Sequence, residues 1–329
     1  MAKVAINGFG RIGRTFFRMA FTHPDIEIVA INDLGNVDNL AYLLTYDSAY
    51  GRAPFTVTVE GQELVVDGKR IAIVQEKDPA KLPWGTMGVD VVVESTGFFT
   101  TYGGAGAHLT AGAKRVVISA PGATVLMGVN ENELSTCQVT SNASCTTNAT
   151  SPLIAILKEA IGIEKALLST VHAYTASQSL VDAPKKDWRE GRAAALNIVP
   201  TSTGAAIATT LAHPDLKGKF DGISLRVPVP VGSIVDVTFL ASRPTTVEEV
   251  NEALTAAAAS DRWKHLFAVT TEELVSSDII GARYASIADL AFTRVVDGDL
   301  VKVMAWYDNE TSYTHTLVEH VAAVAKSLT

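Results

Sequence analysis

The sequence predicts an α/β protein: a Rossmann-type doubly wound parallel sheet followed by a second, α+β domain with a mixed or antiparallel sheet. Three observations carry this. Apolar, β-branched runs alternate with helical stretches through the first third. Strand–helix–strand order of that kind closes into parallel pairs with right-handed crossovers. Beyond residue 145 the texture changes to long strands and separate helices.

Taken in order, Lys3–Asn7 reads as a strand, Arg11–Thr22 as a helix stopped by His23-Pro24, and Glu27–Asn32 as the next strand. Val89–Glu94 and Arg115–Ser119 are almost wholly apolar, as strands covered on both faces of a parallel sheet should be. Cys145–Ala160 has helical spacing with Ser144 as its N-cap, and Ala166–Tyr174 and Gly222–Ala241 read as long strands, the second uninterrupted. Val247–Ala259 reads as a helix capped by Thr246. Strand Val301–Trp306 and a helix from about Ser312 to Ser327 close the chain. The expected division is residues 1–144 as a first domain, with 309–329 packing back on it, and 145–308 as a second.

Composition bounds what such a fold does. The chain has 329 residues, about two domains at ~150 residues each, and 47% hydrophobic residues give it a full core. The net charge of −8 does not suit a nucleic-acid coat, so an anionic ligand must be held by local donors. The opening residues run straight into a strand with no leader-like segment, and no apolar run approaches a membrane span. Two cysteines, Cys137 and Cys145, give no disulfide framework. A cytoplasmic protein with no membrane or nucleic-acid partner is the expectation.

The first chemical motif is Gly8-Phe9-Gly10-Arg11-Ile12-Gly13, a G-x-G-x-x-G directly after a strand and opening a helix. Its glycines allow a tight turn, backbone approach to a pyrophosphate and close helix–strand packing. The helix start supplies N–H groups for the phosphates. Asp33 ends the second strand 20 residues after Gly13, where a carboxylate accepts from ribose hydroxyls and repels a 2′-phosphate. Leu34 follows with no Arg or Lys beside it, so NAD is expected over NADP.

The second motif is Ser141-Asn142-Ala143-Ser144-Cys145-Thr146-Thr147-Asn148, which puts a cysteine at a helix start. That position is expected to lower the thiol pKa. Of seven histidines, His172, on a strand that runs into a polar stretch, is the best candidate for a base beside it. Spacing alone leaves a second reading open: a small buried thiol and a satisfied strand histidine. Cys137 reads as inert packing. No Cys/His pair has metal-ligand spacing.

These residues sit in segments that resemble phosphorylating glyceraldehyde-3-phosphate dehydrogenases. The segments are INGFGRIGR (6–14), YDS (46–48), PWG (83–85), ESTG (94–97), ISAP (118–121) and GVN (128–130). SNASCTTN (141–148), TVHAYTASQ (170–178), STGAA (202–206), RVPVP (226–230), SSD (276–278) and WYDNE (306–310) continue the series in order along the chain. The resemblance implies that Cys145 is the nucleophile and His172 its base, passing through a thiohemiacetal and a thioester that inorganic phosphate cleaves. It implies NAD contacts at Gly8, Gly10, Arg11, Ile12, Gly13, Asp33, Lys77, Ser119 and Asn309. It implies that Ser144, Thr146, Thr175, Arg192, Thr203, Gly204 and Arg226 hold the glyceraldehyde 3-phosphate and inorganic phosphate. A homotetramer and no metal are implied as well.

The chain departs from the family pattern in three places. Only Gly122–Met127 intervene between ISAP and GVN, Ser312 stands where Gly is usual, and Lys77 where Arg is common. An erythrose-4-phosphate dehydrogenase and a catalytically silent NAD-binding protein are the rival readings.

Overall fold

The computed structural model describes residues 1–120 and 124–328. Pro121, the last residue of ISAP, and Gly122 and Ala123 of the shortened loop lie outside the described residues. The chain divides into two compact units, Met1–Ala143 with Thr314–Thr329, and Ser144–Tyr313. Ser144 and the segment 309–313 thus fall with the second unit. Among the described residues no helix is long and apolar enough to cross a membrane.

In the first unit β1 (Ala2–Asn7), α1 (Arg11–Ala20), β2 (Ile26–Asn32) and α2 (Val37–Thr45) open the fold. An antiparallel meander, β3 (Val57–Glu60), β4 (Glu63–Val66) and β5 (Lys69–Val74), comes next. Then follow β6 (Val91–Glu94), α3 (Tyr102–Thr110), β7 (Arg115–Ile118) and β8 (Val139–Ser141). The eight strands form one sheet in the order β8-β7-β6-β1-β2-β5-β4-β3, parallel from β8 through β5. From β1 the chain builds one way to β2 and the other way to β6. The carboxyl ends of β1 and β6 therefore form the switch point where open α/β sheets bind ligands. Apolar side chains beneath it make the core, with Ala5, Ala30, Trp84, Val92, Val116 and Val139 all buried.

The second unit begins with α4 (Cys145–Ala160), whose residues 146–157 are all buried. It continues through β9 (Ile163–Ala173), β10 (Val199–Ser202), α5 (Ala205–Ala212), β11 (Phe220–Val227), β12 (Ser233–Ala241) and α6 (Val247–Ala258). β13 (Phe267–Thr270), β14 (Ser286–Asp289), β15 (Arg294–Val296) and β16 (Leu300–Tyr307) follow, before α7 (Thr311–Lys326). The sheet order is β10-β11-β9-β12-β16-β14-β13, with β15 paired to β16. It is a mixed sheet, since β11 runs parallel to β9 and β12 antiparallel to it.

One expectation is corrected here. Gly222–Ala241 is not one strand but two, β11 and β12, lying on opposite sides of β9. Pro228 and Pro230 cannot donate to a ladder. Gly232 turns the chain at φ +94, where an added Cβ would lie 2.3 Å from the Ser276 carbonyl oxygen.

Candidate active site

The turn after β1 is shaped by three glycines with different duties. Gly8 has φ +92, and a Cβ there would lie 2.7 Å from the Thr96 nitrogen. A Cβ on Gly13 would lie 2.2 Å from the Gly8 carbonyl oxygen, so this glycine is required by helix–strand packing. Gly10, the N-cap of α1, offers no side-chain cap, and a Cβ on it would meet nothing within 4 Å. Packing does not demand that glycine. An approaching ligand does, because the uncapped helix start presents N–H groups there.

Asp33 supports the same turn. Its carboxylate accepts from the Phe9 amide at 2.7 Å and from the Gly35 amide at 2.8 Å, while Leu34 beside it is exposed. Arg11 is ion-paired with Asp47 and lies 5.6 Å from the Tyr50 ring centre. Burial opposes ionisation of Asp47, but the Ala49 and Tyr50 amides and Arg11 outweigh it and hold its carboxyl below the usual range. Ile12 and Ser119 are half-buried and Lys77 is exposed; the Ser119 amide donates to the Glu94 carbonyl at 2.9 Å. A turn open at Gly10, closed at Gly8 and Gly13, and braced by a carboxylate fits a dinucleotide.

The thiol lies in the second unit. Ala143 precedes it at φ +55, a left-handed conformation that costs a non-glycine residue on the order of 1–3 kcal/mol. Ser144 caps α4 as the sequence predicts, its Oγ accepting from the Thr147 amide at 3.1 Å. Cys145 is therefore the first helical residue. Its Sγ lies 3.3 Å from His172 Nε2. Parallel register sets His172 on β9 beside Arg226 on β11, and Arg226 brings one terminal nitrogen within 2.5 Å of His172 Nδ1. The Ala173 carbonyl, which can only accept, faces Nδ1 at 2.6 Å. That contact assigns the ring hydrogen to Nδ1 and leaves Nε2 as an acceptor towards the thiol.

The electrostatics correct a second expectation. Burial pushes the Cys145 thiol up, against the Arg226 charge and hydrogen bonds around Thr146 that favour the thiolate. Burial also pushes His172 down to about 3, and Arg226 adds to that shift. The helix start alone would lower the thiol, but loss of hydration is the larger effect. The resting pair is a neutral thiol beside a neutral imidazole.

Sequence reasoning missed Tyr307. Its hydroxyl bridges Thr146 Oγ1 at 3.0 Å and Thr170 Oγ1 at 2.9 Å. The ring stands edge-on to His172, centroids 5.8 Å apart. Burial pushes its phenol well above the ordinary value. In sequence it is one more aromatic on an apolar strand, and only the fold shows the hydroxyl's direction.

The remaining candidates lie around this centre or away from it. Asn309 is buried, its Oδ1 accepting from the Gly232 amide and Ser233 Oγ, each at 3.1 Å. Thr175 donates its amide to Gln178 Oε1 at 3.1 Å. Arg192 is exposed and paired with Asp182 at 3.0 Å. Thr203 accepts from the Ala205 amide at 3.2 Å, and Gly204 is the exposed N-cap of α5. The structure thus joins Cys145, His172, Arg226 and Thr146, while no printed contact ties Thr175, Arg192, Thr203 or Gly204 to them. Cys137, expected to be packed, is half-exposed with its Sγ 3.6 Å from Thr136 Oγ1. Among the described residues no group of three or more His, Cys, Asp or Glu could hold a metal ion.

A pyrophosphate turn at the switch point of a sheet with this strand order defines an NAD-binding oxidoreductase. Comparison with known proteins narrows the class. Residues 2–102 match the family described as glyceraldehyde 3-phosphate dehydrogenase, NAD binding domain, and residues 144–309 its C-terminal domain. The chain is 49% identical over 330 residues to glyceraldehyde-3-phosphate dehydrogenase 1 of Bacillus subtilis, covering 98% of each. It is 50% identical over 329 residues to the Geobacillus stearothermophilus glyceraldehyde-3-phosphate dehydrogenase, again covering 98% of each. The chain belongs to the glyceraldehyde-3-phosphate dehydrogenase family, and its cofactor is NAD.

Proposed function

We propose that the chain oxidises D-glyceraldehyde 3-phosphate with NAD⁺ and inorganic phosphate to 1,3-bisphosphoglycerate, in glycolysis and gluconeogenesis, with Cys145 as nucleophile and His172 as base. The observation that carries this reading is the 3.3 Å approach of His172 Nε2, free to accept, to the Cys145 sulfur at a helix start. Sulfur adds to the aldehyde carbon while its proton passes to Nε2 and on to the carbonyl oxygen, giving a thiohemiacetal. His172 next takes the hydroxyl proton as the carbonyl re-forms into a thioester and the carbon loses hydride. When bound, NAD supplies the nicotinamide carbon that accepts that hydride. A phosphate oxygen then attacks the thioester, the carbon–sulfur bond breaks, and sulfur recovers its proton from His172. A neutral resting pair suits this cycle, because the proton moves only as the new bond forms.

Gly8, Gly10, Arg11, Ile12, Gly13, Asp33, Lys77, Ser119 and Asn309 are proposed to hold NAD, with Asn309 fixing the carboxamide. Asn309 Oδ1 is already taken by Gly232 and Ser233, so its NH₂ is the end available to a ligand acceptor. Ser144, Thr146, Thr175, Arg192, Thr203, Gly204 and Arg226 are proposed to serve the two phosphates. In support, Arg226 Nε is buried with no protein partner, and a phosphate oxygen is the acceptor such a guanidinium binds best. A homotetramer and a cytoplasmic location follow from the family resemblance and are proposed with it.

The test is NADH absorbance with glyceraldehyde 3-phosphate and NAD⁺, with and without inorganic phosphate. Phosphate-dependent steady turnover is expected, with a burst of one NADH per site when phosphate is omitted. No NADH in either case, or faster turnover with erythrose 4-phosphate, would contradict the reading.

A further inference from the structure

Beneath the cofactor turn lies a buried polar chain that the reaction does not use. Glu94 ends β6 and is 2% exposed. A carboxylate that deep is tolerated only when its lone pairs are met. Here all are met. The amide and Oγ1 of Thr96 donate to Oε1 at 2.8 and 2.5 Å, while Asn7 Nδ2 and His108 Nε2 meet Oε2 at 2.5 and 3.0 Å. His108 is fixed in turn by Trp84, whose indole N–H lies 3.0 Å from Nδ1 and can only donate. His108 Nε2 therefore carries the ring hydrogen and donates to Glu94.

The chain continues past Asn7. Asn7 Oδ1 accepts from Asn32 Nδ2 at 2.6 Å. Asn32 grips the backbone of Glu76 at both its N–H and its C=O, each at 2.9 Å. Glu76 precedes Lys77, one flank of the cofactor site. Thr96 is the other flank, against which Gly8 packs so tightly that no Cβ fits. One carboxylate thus ties the segment behind the pyrophosphate turn to the segment carrying Lys77, across the ends of β6, β1 and β2.

We propose that Glu94 is a positioning residue for NAD: through Thr96 on one side and Asn7–Asn32–Glu76 on the other it holds both flanks of the cofactor site in a single geometry and so sets cofactor affinity. This rests on reading the Gly8–Gly13 turn as the NAD site.

Glu94→Gln is the direct test. Glutamine replaces one acceptor oxygen with NH₂, which must face either the Thr96 donors or those of Asn7 and His108. The dissociation constant for NAD, titrated calorimetrically without aldehyde, is expected to rise about tenfold or more. The kcat at saturating NAD is expected to stay near that of the unmodified protein. Trp84→Phe removes only the far anchor, so it is expected to lower the melting temperature and leave NAD affinity unchanged. If Glu94→Gln does not fold, Glu94→Asp keeps the charge, withdraws the oxygens by one methylene, and is expected to weaken NAD in the same direction. Unaltered NAD affinity in the folded Glu94 variant would overturn the proposal. So would Trp84→Phe weakening NAD in step with its loss of stability, which would mark a merely structural chain. If the unmodified protein itself fails to bind NAD, the cofactor reading falls first and the proposal with it.

Discussion

The two polar clusters of this protein are built on opposite plans. Around Glu94 every donor meets an acceptor: four donors converge on two carboxylate oxygens, and His108, Asn7 and Asn32 are each satisfied in turn. Around Cys145 the bonding is frustrated. An acceptor carbonyl and a guanidinium donor crowd the same nitrogen of His172, and Arg226 Nε is buried without a protein partner. A satisfied network resists change and holds a shape, whereas a frustrated one can gain interactions during a reaction. The contrast separates the part of the protein that positions from the part that reacts.

Removing the sulfur should separate the clusters most sharply. Cys145→Ser is expected to lower turnover at least about 10³-fold while NAD binds with its original affinity by calorimetry. Loss of NAD binding in that variant would show that the thiol also holds up the cofactor site. Next in size is His172→Asn, expected to cost about 10²–10⁴-fold in kcat and to slow alkylation of Cys145 at neutral pH. An unchanged alkylation profile would sever the pair. Arg226→Leu is expected to raise the KM for the phosphorylated aldehyde by about ten- to a hundredfold, with a smaller effect on an aldehyde lacking phosphate.

The smallest effect concerns pH. Burial holds both His172 and His320 down to about 3 in the folded protein. Unfolded, each takes up a proton near pH 6.5. The unfolded state therefore binds more protons between these values. Stability from these groups is complete above pH 6.5 and is lost as pH falls from there towards 3. Melting temperature should decline through that window, and His320→Gln should flatten the decline. A melting temperature independent of pH across it would show that neither ring is held neutral.

Much of this was legible in the sequence, and what was not had physical reasons. The Ser144 cap, the start of α4 at Cys145 and the Thr246 cap are local chemistry, and the structure places them as read. The β3–β5 meander carried a signal in Asp67-Gly68, both at positive φ in the turn, but its short alternating runs lack the bulk of the core strands. Asp33 was read as a ribose contact, and its second duty, gripping the Phe9 and Gly35 amides, depends on backbone positions that composition does not encode. The thiol's pKa was read from helix position alone. Its direction is decided by burial, which depends on how β9, β11 and β16 converge on the helix start. Tyr307 and Glu94 were hidden for the same reason, since each acts through partners more than 85 residues away in sequence.

Two cysteines make the central claim directly measurable. The protein would be incubated with glyceraldehyde 3-phosphate and NAD⁺ without inorganic phosphate, quenched in acid and mapped by peptide mass spectrometry. The account predicts one acyl group per chain, on the peptide carrying Cys145 and absent from that carrying Cys137, and discharged when phosphate is added before the quench. An acyl group on Cys137, or none on either cysteine while NADH forms, would contradict it.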